Sequence, residues 1–514
     1  MKKRNLQRIF AAFMATAMAV TAAGCSSGGG DTKPTDTPAT TDTPATTTAP
    51  ATTTAPVDNG GETTPEPTAT VDIPADEFYA VLNDEGIYVD QNGNKIDLGG
   101  IHVTIRDWFS NGRKDPDQQN EYDQAQYAYW DEMEELYNFT FEKKTIGDWG
   151  TVPGDFVTYA TAPDDGEYYA FTLRDDAAVT SAMANGLMYD LSTLHALDFS
   201  DKKFTDNMLH DAYGKNGHIY CMYAGYPEPR TGVYMNKKVL KDANIDFNEI
   251  YDLQKNDQWT WEKFEEYCAK IQRDTDADGV DDVFAICCNE GAIIATAVAS
   301  NGGKLVGKDA SGYTYNVEDA NTLEALNWIR NLFITYDRHP NKPEDAQWNY
   351  YQDEFKSGTV AFLLEDEYAG MGTWNYLYGV DFEYGFVMFP KGPQGKLINC
   401  WSNNPVCIPT NYSKMKAGQI AFVWNLVTDP VPDWEDYNAV LVDARLNGNF
   451  DDRAKNETIP MMVTSEHGTV TYHGIIPDLD VTQLLYHINE NEDLSAVIEG
   501  FRDQWKEIIS KANN

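Results

Sequence analysis

The run IHVTIRDWFS, Ile101–Ser110, begins as a strand: Ile101-His-Val-Thr-Ile105 alternates and is rich in β-branched residues. It stops at Arg106-Asp107-Trp108-Phe109. A helix is expected from Gln118 to Tyr137, because Tyr122, Ala125, Tyr129, Met133 and Leu136 recur at helical spacing. Phe139–Thr145 reads as the next strand, Phe156–Ala160 as a short helix, Tyr168–Leu173 as a third strand and Asp176–Asn185 as a third helix. That alternation predicts a parallel α/β sheet. Ligands of such sheets bind beyond the carboxyl ends of the strands. Asp107, Trp108, Arg174 and Asp175 stand at those ends.

A second α/β pattern follows His218–Ile245, which reads as two extended pieces broken by Gly225-Tyr-Pro-Glu-Pro229 and then a helix from Lys237. Trp259-Thr-Trp opens a helix that runs to about Arg273, with Thr260 placed as its N-cap. Strands are expected at Val283–Cys287, Val360–Leu364, Tyr384–Met388 and around Cys400–Ile408. Helices are expected at Gly291–Ala299, Glu318–Tyr336, Asp345–Ser357, Lys414–Thr428 and Leu494–Ala512. At 514 residues the chain is too long for one ordinary domain.

The N-terminus reads as a targeting segment. MKKRNLQR is cationic, IFAAFMATAMAVTAAG has signal-peptide length, and residues 1–24 end at Ala22-Ala23-Gly24 before Cys25. Small residues before a Cys resemble a bacterial lipobox, so Cys25 is the expected lipid-bearing residue, although Ala22 stands where Leu is usual. Residues 25–75 are Thr- and Pro-rich with little to bury, the composition of an extended tether. Removing the leader would take away Lys2, Lys3, Arg4 and Arg8 and no acid, making a formal charge of −42 still more negative. So acidic a body does not hold nucleic acid by electrostatics. Six further cysteines show no CxxC or Cys/His zinc spacing. Cys400 and Cys407 are near enough in sequence to bridge a loop, and buried free thiols are the alternative.

GVYMNKKVLKDANI, WTWEKFEEYCAKIQRDTDADGVDDVFAI, FKSGTVAFLLEDEYAG, YGFVMFPKGPQGK and PVCIPTNYSKMKAGQIAFVWNLVT follow one another in that order. Over about residues 98–510 this resembles an extracellular solute-binding protein of an ATP-binding-cassette importer, most similar to the family 1, sugar-binding type. The resemblance implies a two-lobed α/β fold of the periplasmic-binding-protein type, a ligand cleft that closes by a hinge, and delivery to a membrane permease. It implies a monomer that does no chemistry on its ligand. The lobes it suggests are 76–220 with 365–410, and 221–364 with 411–514.

Within that frame the acidic loop Asp274–Asp282 has oxygen side chains at positions 1, 3, 5 and 9 and Gly279 at position 6. Calcium requires such a wrap of oxygens. Asp274, Asp276, Asp278, the Val280 carbonyl and Asp282 are the expected ligands. Position 12 is Ala285, so the loop is not an EF-hand. It joins a helix to an internal strand, which suits a structural clip better than a ligand site.

Sugars offer C–H faces to aromatic rings and hydroxyls to Asp, Glu, Asn and Arg. Strand ends and hinge loops supply the candidates: Asp107, Trp108, Arg174, Asp175, Tyr223, Tyr226, Asn289, Glu290, Glu365 and Asp366. The resemblance adds Trp374 and Trp401 as stacking rings. A glycoside hydrolase would need two carboxylates about 5–9 Å apart, for which Glu365 and Glu290 are one pairing. With 81 acidic residues such pairings arise readily. A peptide, polyamine or other cationic ligand on the same fold is the remaining alternative.

Overall fold

The computed structural model describes residues 74–513 except 111, 175, 206–213, 216, 226–227, 280, 338–346, 348, 372–374, 435–438, 447 and 487–492. The described residues fall in one compact unit. Cys25 lies outside them, as do Asp175, Tyr226, Val280 and Trp374.

The first lobe is built from β1 (Ile101–Asp107), α1 (Glu121–Tyr137), β2 (Phe139–Thr145), α2 (Val152–Thr161), β3 (Tyr168–Thr172) and α3 (Ala177–Ala184). β1 is central. It runs parallel to β2 from Ile101↔Phe139 to Asp107↔Thr145, and parallel to β3 from Val103↔Tyr168 to Arg106↔Phe171. All three carboxyl ends therefore lie along one edge. α1 starts at Glu121, three residues after the expected Gln118, because Asn120 caps it. The Asn120 side chain accepts from Asp123 N–H at 2.8 Å, and the Asp123 carboxylate accepts from Asn120 N–H at 3.0 Å.

The chain then forms β4 (Glu228–Pro229) and enters a second lobe of β5 (Gly232–Asn236), α4 (Trp261–Ile271), β6 (Phe284–Cys288), α5 (Glu290–Ser300), α6 (Ala320–Tyr336), β7 (Val360–Glu365) and β8 (Tyr384–Met388). Its sheet has the order β6-β7-β5-β8, with β6 and β7 parallel and β5 antiparallel to both of its neighbours. Every residue of these four strands is buried, as expected of a sheet covered on both faces. Thr260 caps α4 through its hydroxyl, which accepts from Lys263 N–H. Trp261 stacks on Trp328 with centroids 4.1 Å apart.

The return path decides the division into lobes. β9 (Asn399–Ser402) lies between β4 and β11 (Gly468–Val470) in a small third sheet. β10 (Val406–Cys407) joins the first-lobe sheet antiparallel to β3. α7 (Lys414–Val427) follows, and its Phe422 and Trp424 share the first-lobe core with Trp130 and Tyr137. The strand expected around Cys400–Ile408 is thus two short strands in different sheets. The expected partition is corrected accordingly: β8 belongs to the second sheet and α7 to the first core. The chain crosses between Met222 and Glu228, returns between Ser402 and Val406, and crosses again after α7 to reach Leu441 and Ala444 in the second core. Among the described residues no helix is long and apolar enough to cross a membrane.

Candidate functional site

The carboxyl ends of the first-lobe strands carry a cation, a tight turn and an exposed ring. Asp107, at the end of β1, is 1% exposed, and its carboxylate accepts from Phe109 N–H at 3.0 Å and Ser110 N–H at 2.8 Å. It closes the turn that carries Trp108. Trp108 is half-buried and packs edge-on against Phe109. Arg174, two residues beyond β3, pairs with Asp176 at 2.9 Å and donates to the Trp149 carbonyl at 3.4 Å. Its Nε is buried with no hydrogen-bond partner among the described residues.

Trp149 was not among the sequence candidates. It stands in Ile146-Gly-Asp-Trp-Gly-Thr151, between β2 and α2. The Asp148 side chain accepts from the N–H groups of Gly150 and Thr151, which tightens the turn and leaves the Trp149 ring 60% exposed. Gly147 has φ +60°, and a Cβ there would meet the Thr151 hydroxyl at 2.4 Å. One face of the Trp149 ring is covered by the Arg174 guanidinium, 4.0 Å from the centroid. The sequence signal was a Trp between two glycines directly after a strand.

In the second lobe the equivalent edge is formed by the ends of β6 and β7. Glu365 ends β7 and is 0% exposed. Its Oε1 accepts from Asp366 N–H at 2.8 Å and from the Asn289 amide at 3.0 Å, and its Oε2 accepts from the Tyr376 hydroxyl at 3.2 Å. Burial, with the adjoining Asp366 carboxylate, pushes the Glu365 carboxyl above the usual range. Asp366 accepts from the Thr231 hydroxyl at 2.9 Å. Burial raises its carboxyl too, against the pull of Arg230. Arg230 donates to the Ser402 hydroxyl at 2.7 Å and pairs with Glu228 at 3.0 Å, which ties this cluster to both crossing strands.

The candidates therefore separate by role. Arg174, Trp108, Asn289 and Asp366 retain surface at the strand ends. Asp107, Tyr223, Glu365 and Trp401 are buried and hold the frame. Trp401 offers no stacking face: it is 4% exposed, donates through its indole N–H to the Met462 carbonyl at 2.9 Å, and presses on Gly468. The backbone of Glu290 opens α5 beside Asn289, while its side chain lies outside the description. The lobes touch at α3, where the Thr180 hydroxyl donates to the Ile475 carbonyl and Ile475 joins the first-lobe packing.

In the acidic loop the carboxylate oxygens of Asp274, Asp276 and Asp282 lie within 4.8 Å of one another. Asp278 is not part of that group. Asp274 also accepts from the N–H groups of Ala277 and Gly279, which hold its carboxyl below the usual range.

Two α/β lobes joined by three crossings, with polar groups at the carboxyl ends of both sheets, define a hinged ligand-capturing protein. Comparison with known sequences gives the family: residues 147–428, more than half of the chain, match the bacterial extracellular solute-binding proteins, and the chain belongs to them. No curated protein sequence matches it. Solved structures share the fold at low identity. The ABC substrate-binding protein of Listeria monocytogenes, solved with cycloalternan, is 15% identical, with a TM-score of 0.55 over 80% of this chain and 99% of that one. UgpB of Mycobacterium tuberculosis, solved with glycerophosphocholine, is 18% identical, with a TM-score of 0.56 over 79% and 99%. A sugar transporter of Rhizobium etli in an open conformation is 16% identical, with a TM-score of 0.56 over 79% and 99%.

Proposed function

We propose that this solute-binding protein captures an oligosaccharide between its lobes and hands it to an ABC permease without altering it. The Trp149 ring carries the reading: it is exposed at the carboxyl ends of the first-lobe sheet and backed by Arg174. Such a ring covers the C–H face of a sugar, and the Asn289 and Asp366 side chains are suited to its hydroxyls. Two of the structural relatives were solved in complex with a small molecule, cycloalternan in one and glycerophosphocholine in the other. The chain is held at the extracellular face of the cell membrane by a lipid on Cys25, with residues 26–75 as the tether, and works as a monomer. The test is calorimetric titration with a panel of oligosaccharides, followed by analysis of the recovered sugar. Saturable binding with the sugar intact supports the reading. Binding of peptides or polyamines and of no sugar discards the cargo, and hydrolysis discards the carrier.

The loop after α4 is assigned a structural calcium ion. Its donors are all oxygens, and three of the five expected ligand residues converge. An ion there would fasten the loop that links α4 to β6, where Arg273 and Val283 already form a bridge.

A further inference from the structure

Cys221 and Cys407 are cross-strand neighbours. Met222 and Val406 are antiparallel partners and exchange both backbone hydrogen bonds, at 2.7 Å from Met222 N–H and 3.3 Å from Val406 N–H. In an antiparallel pair the residue before one partner faces the residue after the other, so Cys221 faces Cys407. Because 222 and 406 form the hydrogen-bonded pair, 221 and 407 form the non-hydrogen-bonded one. There Cα atoms approach to about 4.5 Å and side chains come closest. That separation falls within the roughly 4.4–6.8 Å that disulfides span. Both side chains lie in the same core cluster, at 1% and 0% exposure.

The other described cysteines lack this placement. Cys287 and Cys288 stand opposite Leu363 and Leu364, Cys400 stands opposite Thr469, and Cys268 is on α4. Cys400 and Cys407, the pair suggested by sequence spacing, sit on strands of different sheets. In this structure Cys221 and Cys407 are both free thiols. Burial raises the Cys221 and Cys407 thiols well above their ordinary value, and each contributes little thiolate once the fold is complete.

We propose that Cys221 and Cys407 are a disulfide-forming pair that closes while the exported chain folds, before the core buries it. The oxidant is a low-molecular-weight disulfide. The thiolate of one cysteine attacks a sulfur of that disulfide, its S–S bond breaks, and one small thiolate leaves and takes up a proton. The second cysteine, deprotonated, attacks the protein-bound sulfur of the mixed disulfide and displaces the second small thiol. Two protein thiols are oxidised and one external disulfide is reduced to two thiols. The bond would fasten the first crossing to β10 on the first-lobe side. Both crossing segments, Met222 to Glu228 and Ser402 to Val406, lie beyond it, so the lobes stay free to move.

The test is to unfold the exported full chain, refold it in a mixture of oxidised and reduced glutathione, block free thiols in denaturant without reductant, and map the peptides by mass. The expected result is one linked pair of peptides carrying Cys221 and Cys407. The melting midpoint should rise by about 5 °C or more, reversibly with reductant, and Cys221→Ala and Cys407→Ala should each abolish that rise. Native reduced protein placed in the same mixture should stay reduced far longer than the refolding chain. Recovery of both cysteines as blocked thiols after oxidative refolding, or linkage of either to a different cysteine, overturns the proposal.

Discussion

The guanidinium of Arg174 lies 4.0 Å from the centre of the Trp149 ring, yet the ring remains 60% exposed. The cation fixes one face and leaves the other to solvent, which is how a stacking platform is built. Replacing Trp149 with Ala should weaken oligosaccharide binding by about fivefold, roughly 1 kcal/mol. Trp149→Phe should keep most of the affinity. Thermal stability should change by no more than about 0.5 kcal/mol, because so little of the ring is buried. Titration of both variants beside their melting curves separates the two effects.

Glu365 gives a pH dependence of definite sign. Its carboxyl is raised from an ordinary value of 4.5 to about 7, so the native state holds a proton that the unfolded state has lost. This contribution to stability is complete below the unfolded value and disappears as pH rises through the native one. Melting curves taken between pH 4.5 and 7 should show a loss of stability with rising pH that Glu365→Gln lacks. A parallel slope in both proteins would show that the group does not titrate in that window.

Calcium should raise the melting midpoint and a chelator should lower it. At 100 times the dissociation constant the ion adds about 2.7 kcal/mol. Asp274→Ala should remove the response without altering oligosaccharide binding, since the loop is anchored to α4 and β6 and not to the strand ends that carry Trp149 and Asn289. A variant that still responds to calcium would place the ion elsewhere.

Gly468 is a packing constraint. A Cβ at this position would meet Trp401 Cε2 at 1.8 Å, on a ring whose N–H is already committed to Met462. Gly468→Ala should cost about 3 kcal/mol, read from chemical denaturation. It should also disturb the sheet that joins the lobes.

The strands of both main sheets were readable because they carry their own signal, but the second sheet is mixed where a mostly parallel one was expected. Phe139–Thr145 and Tyr384–Met388 have the expected bounds, and Val360–Glu365 differs from expectation by one residue. The assignment of segments to lobes was not readable. It rests on β8 pairing with β5 and on α7 packing beneath Trp130, which are long-range choices with no local pattern. The strands that cross are two to four residues long, too short for any period. Among the candidates, Arg174, Asn289 and Asp366 were placed at the ends of strong strands by position alone, and there they keep surface. Trp149 escaped because its turn has no periodicity, and Trp401 misled because a ring near a crossing strand fills a core as readily as it faces a ligand.

The interleaving of the lobes bears on the order in which the chain can fold as it emerges. All four strands of the second-lobe sheet lie between Gly232 and Met388, whereas the first-lobe sheet and core wait for β10 and α7, which end at Val427. The sheet that begins first is therefore closed after the sheet that begins second, while the second core still waits for its C-terminal helix, up to Ile509. Until β10 and α7 arrive, the exposed edge of β3 and the uncovered apolar face beneath α7 are the surfaces most open to wrong partners.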